Sequence, residues 1–150
     1  MQSIGHSFNL HSEKWALWSE KLAVMIYPNI TRNFGEAWEC FSYTGSVDSW
    51  NFVERYSNRI LGPVAMYFAN GKIKKKYGIV NEREEMLAYL QQWSAALKGK
   101  FLHGENLTMP DLLVYSVLRS VSGLKTFEDI MQKDSVLNAW YIEVDKRVRD

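Results

Sequence analysis

The chain has 150 residues, of which 47% are hydrophobic and 23% charged, and its formal net charge is +1. This size and composition are typical of one folded globular domain, and the near-neutral charge gives no general attraction to nucleic acid or to an anionic membrane. The one cysteine, Cys40, excludes an internal disulfide and a Cys-x-x-Cys redox motif, and it favours a soluble protein of the reducing cytoplasm.

The first predicted element is an amphipathic helix. Residues 1–12 are polar and lack the apolar core of a signal peptide, so we interpret them as a lead-in or linker stub before a domain that spans residues 13–150. Apolar residues then recur at helical spacing from Ser12 to Tyr27. The Pro28-Asn29 pair predicts the end of this helix, because a proline disfavours helical geometry in the residue before it.

Two further helices are expected before residue 80. The first is short, from Gly35 to Phe41, and the second runs from Asp48 to Tyr77. Apolar side chains mark one face of the second helix: Val53, Tyr56 and Ile60. We expect Gly62-Pro63 to break or kink it, because proline lacks an N–H and its ring clashes with the preceding turn. Gly78 is the expected C-terminal cap.

The second half of the chain predicts more helices and no strand. Amphipathic patterns indicate helices from Glu82 to Leu97 and from Val136 to Val148, with a short one from Phe127 to Met131 between them. No segment alternates with a period of two, and no apolar run approaches the ~18 residues that span a bilayer. The predicted fold class is therefore all-α, without a membrane span.

The clearest local signal is a capping box at Thr108-Met109-Pro110-Asp111. The Thr108 hydroxyl can accept from the N–H of Asp111, and the Asp111 carboxylate can accept from the N–H of Thr108. Leu107 and Leu112 occupy the positions of a hydrophobic staple. Because the following helix is nearly apolar, we expect a buried central helix that starts near Thr108, and we assign Asp111 to structure rather than to catalysis.

A Thr-x-x-Asp box that opens a buried helix late in an all-helical bundle resembles the C-terminal domain of glutathione transferases. Four strings, in order and at matching spacing, are similar to the membrane-associated prostaglandin E synthase type 2 family: YPNITR (Tyr27–Arg32), GPVAMYFANGKIKKKYGI (Gly62–Ile79), DLLVYSVLRSVSGLKTFEDIM (Asp111–Met131) and NAWYIEVDKRV (Asn138–Val148). The resemblance covers Glu13 to Val148, which is nearly the whole chain.

This resemblance implies an enzyme built from two halves. Family members pair a glutaredoxin-like N-terminal domain, which carries a Cys-Pro-x-Cys motif and binds glutathione, with a helical domain like this one. Their activity is the isomerisation of prostaglandin H2 to prostaglandin E2. This chain has one cysteine, so we expect it to lack a catalytic site and to be inactive without the thioredoxin-fold half. The resemblance further implies that it forms one wall of a hydrophobic ligand cleft and that it forms a homodimer.

The resemblance also implies which residues face that cleft: Val24, Tyr27, Phe68, Lys72 and Lys76. Lys72 and Lys76 match two basic positions, occupied by Arg in the animal members, and their i, i+4 spacing puts them on one helix face, where they could contact a propionate or a fatty-acid carboxylate. Val24 stands where the animal members carry a His near a glutathione–haem complex. This departure argues against haem binding.

Structural alternatives stand beside each of these interpretations. The Lys72–Lys76 run can be a solvated helix end that complements the helix dipole. Tyr27 can be an amphipathic residue at the edge of the core, and Cys40 can be a small buried hydrophobic residue. The histidines show no metal-ligand spacing, so no metal is expected. The alternative function is a non-catalytic module of the same fold that associates with other proteins through its helix faces.

Overall fold

A computed structural model describes the backbone of residues 2–44 and 52–150, and the side chains of residues 13–33, 35–40, 42 and 62–150. This part of the chain forms seven helices: α1 (Gln2–Ile30), α2 (Phe34–Thr44), α3 (Phe52–Tyr77), α4 (Glu82–Ala96), α5 (Met109–Ser120), α6 (Lys125–Lys133) and α7 (Ser135–Arg149). In the same residues the β-structure amounts to one isolated bridge between Phe101 and Gly104. The all-α prediction is confirmed. Among the described helices, none combines the length and the apolar character needed to cross a membrane.

Helix α1 extends beyond the predicted Ser12–Tyr27 at both ends, and Pro28 lies inside it. The prediction that Pro28-Asn29 ends the helix was wrong because a side chain stabilises the last turn. The Asn29 amide donates to the carbonyl of Met25 at 2.9 Å and to the carbonyl of Glu82, at the start of α4, at 2.8 Å. The backbone of residues 2–12, interpreted as a lead-in, belongs to the same helix, while a domain boundary at residue 13 stays a prediction.

Helix α3 runs through Gly62 and Pro63 without the expected break. Pro63 is buried, and α3 packs along α2, so tertiary contacts support the helix where a backbone hydrogen bond is missing. The helix ends at Gly78 as predicted: its φ of +66° is left-handed, and the N–H of Ile79 donates to the carbonyl of Lys74 at 3.0 Å. The predicted start at Asp48 and the predicted face of Val53, Tyr56 and Ile60 lie outside the described residues.

Large aromatic rings fill the core between α1, α4 and α7. Trp93 on α4 is fully buried. Its ring centroid lies 4.9 Å from that of Trp15 on α1 and 5.2 Å from that of Trp140 on α7, both in edge-to-face geometry. The ring centroid of Trp18 lies 5.8 Å from that of Trp93. Because such rings bury the largest apolar areas of any side chains, this cluster accounts for much of the packing that holds the three helices together.

The predicted capping box is present at the start of α5. The N–H of Thr108 donates to one carboxylate oxygen of Asp111 at 3.0 Å, and the Thr108 hydroxyl donates to the same oxygen at 2.7 Å. The second oxygen accepts from the N–H of Leu102 at 2.9 Å and from the indole N–H of Trp140 at 3.1 Å. The fully buried Asp111 therefore joins α5, α7 and the loop between α4 and α5.

The helix behind the box is buried on one side only. Val114 and Leu118 are fully buried, whereas Ser116, Arg119 and Ser120 are exposed. The expectation of a helix enclosed on most sides was therefore too strong, because α5 packs on α1 and α7 and leaves an outer face open. The two leucines of the predicted staple, Leu107 and Leu112, are half-buried, and their mutual contact stays a prediction.

Replacing Asp111 by Ala should destabilise the fold more than removing an ordinary helix cap. Four buried or half-buried donor groups, on Leu102, Thr108 and Trp140, would lose a carboxylate acceptor at once, so we expect the free energy of unfolding to fall by about 3 kcal/mol or more. The control is Asp134→Ala at the N-cap of α7, where one carboxylate oxygen accepts from the N–H of Leu137 and the other accepts from the Ser94 hydroxyl of α4 at 2.7 Å. Because it has two donors rather than four, we expect a smaller loss of about 1 to 2 kcal/mol. Urea unfolding measures both; equal losses would contradict this account of Asp111.

Candidate functional site

A shallow groove of about 410 Å³ lies between α1 and α5. Its walls carry no charged side chain. One wall is formed by four residues of α1, and the other by three residues of α5 and the residue that directly follows it: Ala23, Ile26, Tyr27, Ile30, Ser116, Val117, Ser120 and Val121. The α1 residues recur at i, i+3, i+4 and i+7, which places them on one helix face. Since Asp111 fixes the start of α5, it also fixes the wall that α5 contributes.

The two serines of the groove contribute little polarity to it. The Ser116 hydroxyl donates to the carbonyl of Leu113 at 2.8 Å, and the Ser120 hydroxyl donates to the carbonyl of Val117 at 2.6 Å. Both hydroxyl protons are therefore used within α5. The groove can bind an apolar group, and its α5 wall provides no uncommitted hydroxyl proton for a polar one.

Tyr27 and Cys40 come together where α1 meets α2. Tyr27 is half-buried, and burial raises the pKa of its hydroxyl, with a smaller contribution from the nearby Cys40. Cys40 is buried as expected, and burial, followed by the charge of Glu39, raises the pKa of its thiol. At neutral pH both groups therefore hold their protons, and Cys40 lacks the thiolate character of a catalytic nucleophile.

The other predicted cleft residues do not share this groove. Asn70 on α3 faces the end of α1, where its amide donates at 2.7 Å to the carbonyl of Thr31, the residue that directly follows α1. Phe68 and Lys72 each lie two residues from Asn70, about 200° around the helix, and both side chains are exposed, Phe68 by 69%. Lys76 is also exposed, with its ammonium 5.2 Å from the ring centroid of Tyr77. Val24 is half-buried on α1 and is not among the residues that line the groove.

Neither cofactor implied by the resemblance fits the groove. Glutathione carries two carboxylates, and the groove supplies no cation to pair with them. Haem needs an axial ligand. Val24 cannot provide one, and burial raises the pKa of the Tyr27 hydroxyl and of the Cys40 thiol, so both keep their protons at neutral pH. Over the described residues, no cluster of three or more His, Cys, Asp or Glu side chains could hold a metal ion.

The α5 wall of the groove was missed by sequence reasoning. Ser116 and Ser120 lie at i, i+4 on an otherwise nearly apolar helix, and this departure from the apolar pattern marked the face that stays open. The buried polar contacts that fix the end of α1 were missed too. The Thr126 hydroxyl of α6 donates to the carbonyl of Asn29 at 2.9 Å, and residues so far apart in sequence gave no local signal.

The Cys40 thiol should react slowly in the folded protein. Because burial disfavours its thiolate, we expect labelling by a disulfide reagent such as Ellman's reagent to be roughly tenfold or more slower in native buffer than in denaturing urea. A Cys40→Ser variant controls for background reaction. Equal rates in the two solvents would show an accessible, reactive thiol and would contradict the interpretation of Cys40 as a buried core residue.

Comparison with known proteins identifies the family to which this helical fold belongs. Residues 61–149 match the family model described as "Glutathione S-transferase, C-terminal domain". The chain is 29% identical over 142 residues to prostaglandin E synthase 2 of Mus musculus, covering 91% of this chain and 36% of the mouse protein. It is 30% identical over 137 residues to prostaglandin E synthase 2 of Danio rerio, and this match covers 89% of this chain and 36% of the zebrafish protein. The chain thus spans about a third of the length of these relatives. It belongs to the glutathione S-transferase C-terminal domain family.

Proposed function

We propose that this chain is the helical half of an enzyme that resembles prostaglandin E synthase 2, and that it forms one wall of a hydrophobic ligand cleft. The observation that carries the proposal is the uncharged groove between α1 and α5, on a domain whose relatives are named as prostaglandin E synthases. A groove of this volume falls in the range of small-molecule sites. Its apolar side chains would bind the hydrocarbon part of a ligand and exclude water from it.

In this proposal the sulfur chemistry belongs to another domain. A glutathione-dependent isomerase needs a thiolate, which glutathione would supply when bound to a glutaredoxin-like half. The buried Cys40, the one cysteine of the chain, is unsuited to that role. The uncharged groove is equally unsuited to hold glutathione itself. This domain would therefore shape the site and bind the apolar substrate, while its partner half supplies the reactive group.

The exposed face of α3 forms a separate part of the proposal. Phe68, Lys72 and Lys76 lie away from the α1/α5 groove, so an anion contact at the two lysines would need a second domain to close over that face. Lys74, by contrast, is held by an ion pair with Glu82 at 2.7 Å. The formation of a homodimer, which the fold family suggests, also remains an expectation.

The chain alone should show no glutathione-dependent turnover. We expect isomerisation of an endoperoxide substrate, and conjugation of a chlorinated aromatic electrophile, to proceed at the uncatalysed rate when this chain and glutathione are supplied, because no activated thiolate is present. Cys40→Ser is the matched control. Robust turnover that survives Cys40→Ser would show a complete catalytic site in these helices. It would refute the proposal that another domain supplies the reactive thiolate.

Added haem should give no sharp shift of its Soret band. Val24 cannot ligate iron, and two exposed lysines alone would bind propionates weakly. The measurement is a haem titration of the chain and of its Lys72→Ala/Lys76→Ala variant, with Lys98→Ala/Lys100→Ala as a control of equal charge. A sharp shift that disappears only in the Lys72/Lys76 variant would contradict this expectation and would assign the lysines to an anion site.

A further inference from the structure

We infer that a second groove, between α1 and α4, binds amphipathic anions, which are molecules with an apolar body and one carboxylate or sulfonate group. This α1/α4 groove has a volume of about 490 Å³ and is lined by six residues: Glu13, Lys14, Leu17, Trp18, Lys21 and Tyr89. It shares no lining residue with the α1/α5 groove. The inference therefore goes beyond the proposed function and does not depend on it.

Two stacked rings and an exposed leucine give the α1/α4 groove its apolar surface. The rings of Trp18 on α1 and Tyr89 on α4 lie nearly parallel, with their centroids 4.5 Å apart. The Tyr89 hydroxyl donates to the carbonyl of Trp18 at 3.3 Å, and the Trp18 indole donates to the side chain of Gln92 at 3.4 Å. These contacts hold both rings in place. Leu17 beside them is 62% exposed, so an apolar ligand body that covers it would remove this surface from water and gain binding free energy.

Two lysines give this groove the positive charge that the α1/α5 groove lacks. Lys14, Leu17 and Lys21 follow the spacing i, i+3, i+7, which places them on one face of α1. The Lys21 ammonium lies 5.3 Å from the ring centroid of Tyr89, so its charge stands directly beside the apolar surface. Among the carboxylates of the described residues, none lies within ion-pair distance of Lys14 or Lys21. Each lysine can therefore pair with an anionic ligand group.

The position of Glu13 sets the direction in which an anion would bind. Glu13 is the one carboxylate among the six lining residues, and it lies eight residues, or about 12 Å along the helix axis, from Lys21. An anionic group would avoid Glu13 and pair with Lys21, while its apolar body extends over Leu17. Burial raises the pKa of the Tyr89 hydroxyl, so at neutral pH this ring adds no negative charge beside Lys21.

Two fluorescent probes that differ only in charge test the inference on the intact chain. Anilinonaphthalene sulfonate is an amphipathic anion, and phenylnaphthylamine is the same ring system without the sulfonate. We expect Lys21→Gln to weaken binding of the sulfonate by roughly three- to fivefold, and Lys14→Gln/Lys21→Gln by roughly tenfold, because each removes an ion pair at the surface. Binding of phenylnaphthylamine should not change. Lys125→Gln, which alters an exposed lysine of α6 outside the groove, is the matched control and should affect neither probe.

Two further variants locate the bound sulfonate. Leu17→Ser changes a side chain that is largely exposed, so the fold should be kept, and it should weaken binding of the sulfonate because the apolar contact is lost. Val117→Trp fills the α1/α5 groove and should leave that binding unchanged. Its effect on other apolar ligands tests the proposed function separately, so either proposal can fail without the other.

Three results would overturn the inference. Unchanged affinity for the sulfonate in Lys14→Gln/Lys21→Gln or in Leu17→Ser would remove the α1/α4 groove as the site. An equal loss of both probes in Lys21→Gln would show that charge does not select the ligand. Loss of sulfonate binding in Lys72→Gln/Lys76→Gln, with Lys21→Gln unaffected, would place the anion on α3 instead.

Discussion

The buried carboxylate of Asp111 constrains this domain more than any other single group. A carboxylate without solvent needs hydrogen-bond donors around it, and Asp111 has four: the N–H and hydroxyl of Thr108, the N–H of Leu102 and the indole of Trp140. These donors come from a helix start, a loop and a distant helix. Helix α5 is thereby fixed where it begins.

The rest of α5 is held by contacts with two helices, α7 and α1. The Tyr115 hydroxyl donates to Asp145 on α7 at 2.6 Å, and burial together with this hydrogen bond raises the pKa of Tyr115 to about 12. Helix α5 also packs against α1. Because the start of α5 and its contact with α7 are both held, the side of α5 that faces α1 keeps its position. The groove between the two helices is therefore a consequence of how α5 is anchored, and Asn29, which ties the end of α1 to α4, holds the other wall.

Local patterns in the sequence predicted the parts of this structure that local interactions decide. The Thr108-to-Asp111 spacing predicted the capping box, and Gly78 predicted the end of α3, because each depends on a single turn of backbone. The contacts of Asp111 with Leu102 and Trp140 could not be predicted, since nothing in the sequence brings residues 102, 111 and 140 together. The expected end at Pro28-Asn29 and the expected break at Gly62-Pro63 failed for a related reason: contacts with other helices outweigh the local cost of a proline. A kink at Gly62-Pro63 stays a prediction. For the groove, the sequence indicated Tyr27 through resemblance alone, and the α5 wall was recognised only once α1 and α5 were seen side by side.

Amide hydrogen exchange followed by NMR on the intact chain tests the central constraint most directly. The N–H groups of Leu102 and Thr108 lie outside the regular helices, yet both donate to Asp111. If this carboxylate holds the domain together, both should exchange about as slowly as the core amides of Val114 and Leu118, through global unfolding. Exchange as fast as that of the exposed loop residues Glu105 and Asn106 would contradict the account, because the loop would then open without disturbing α5.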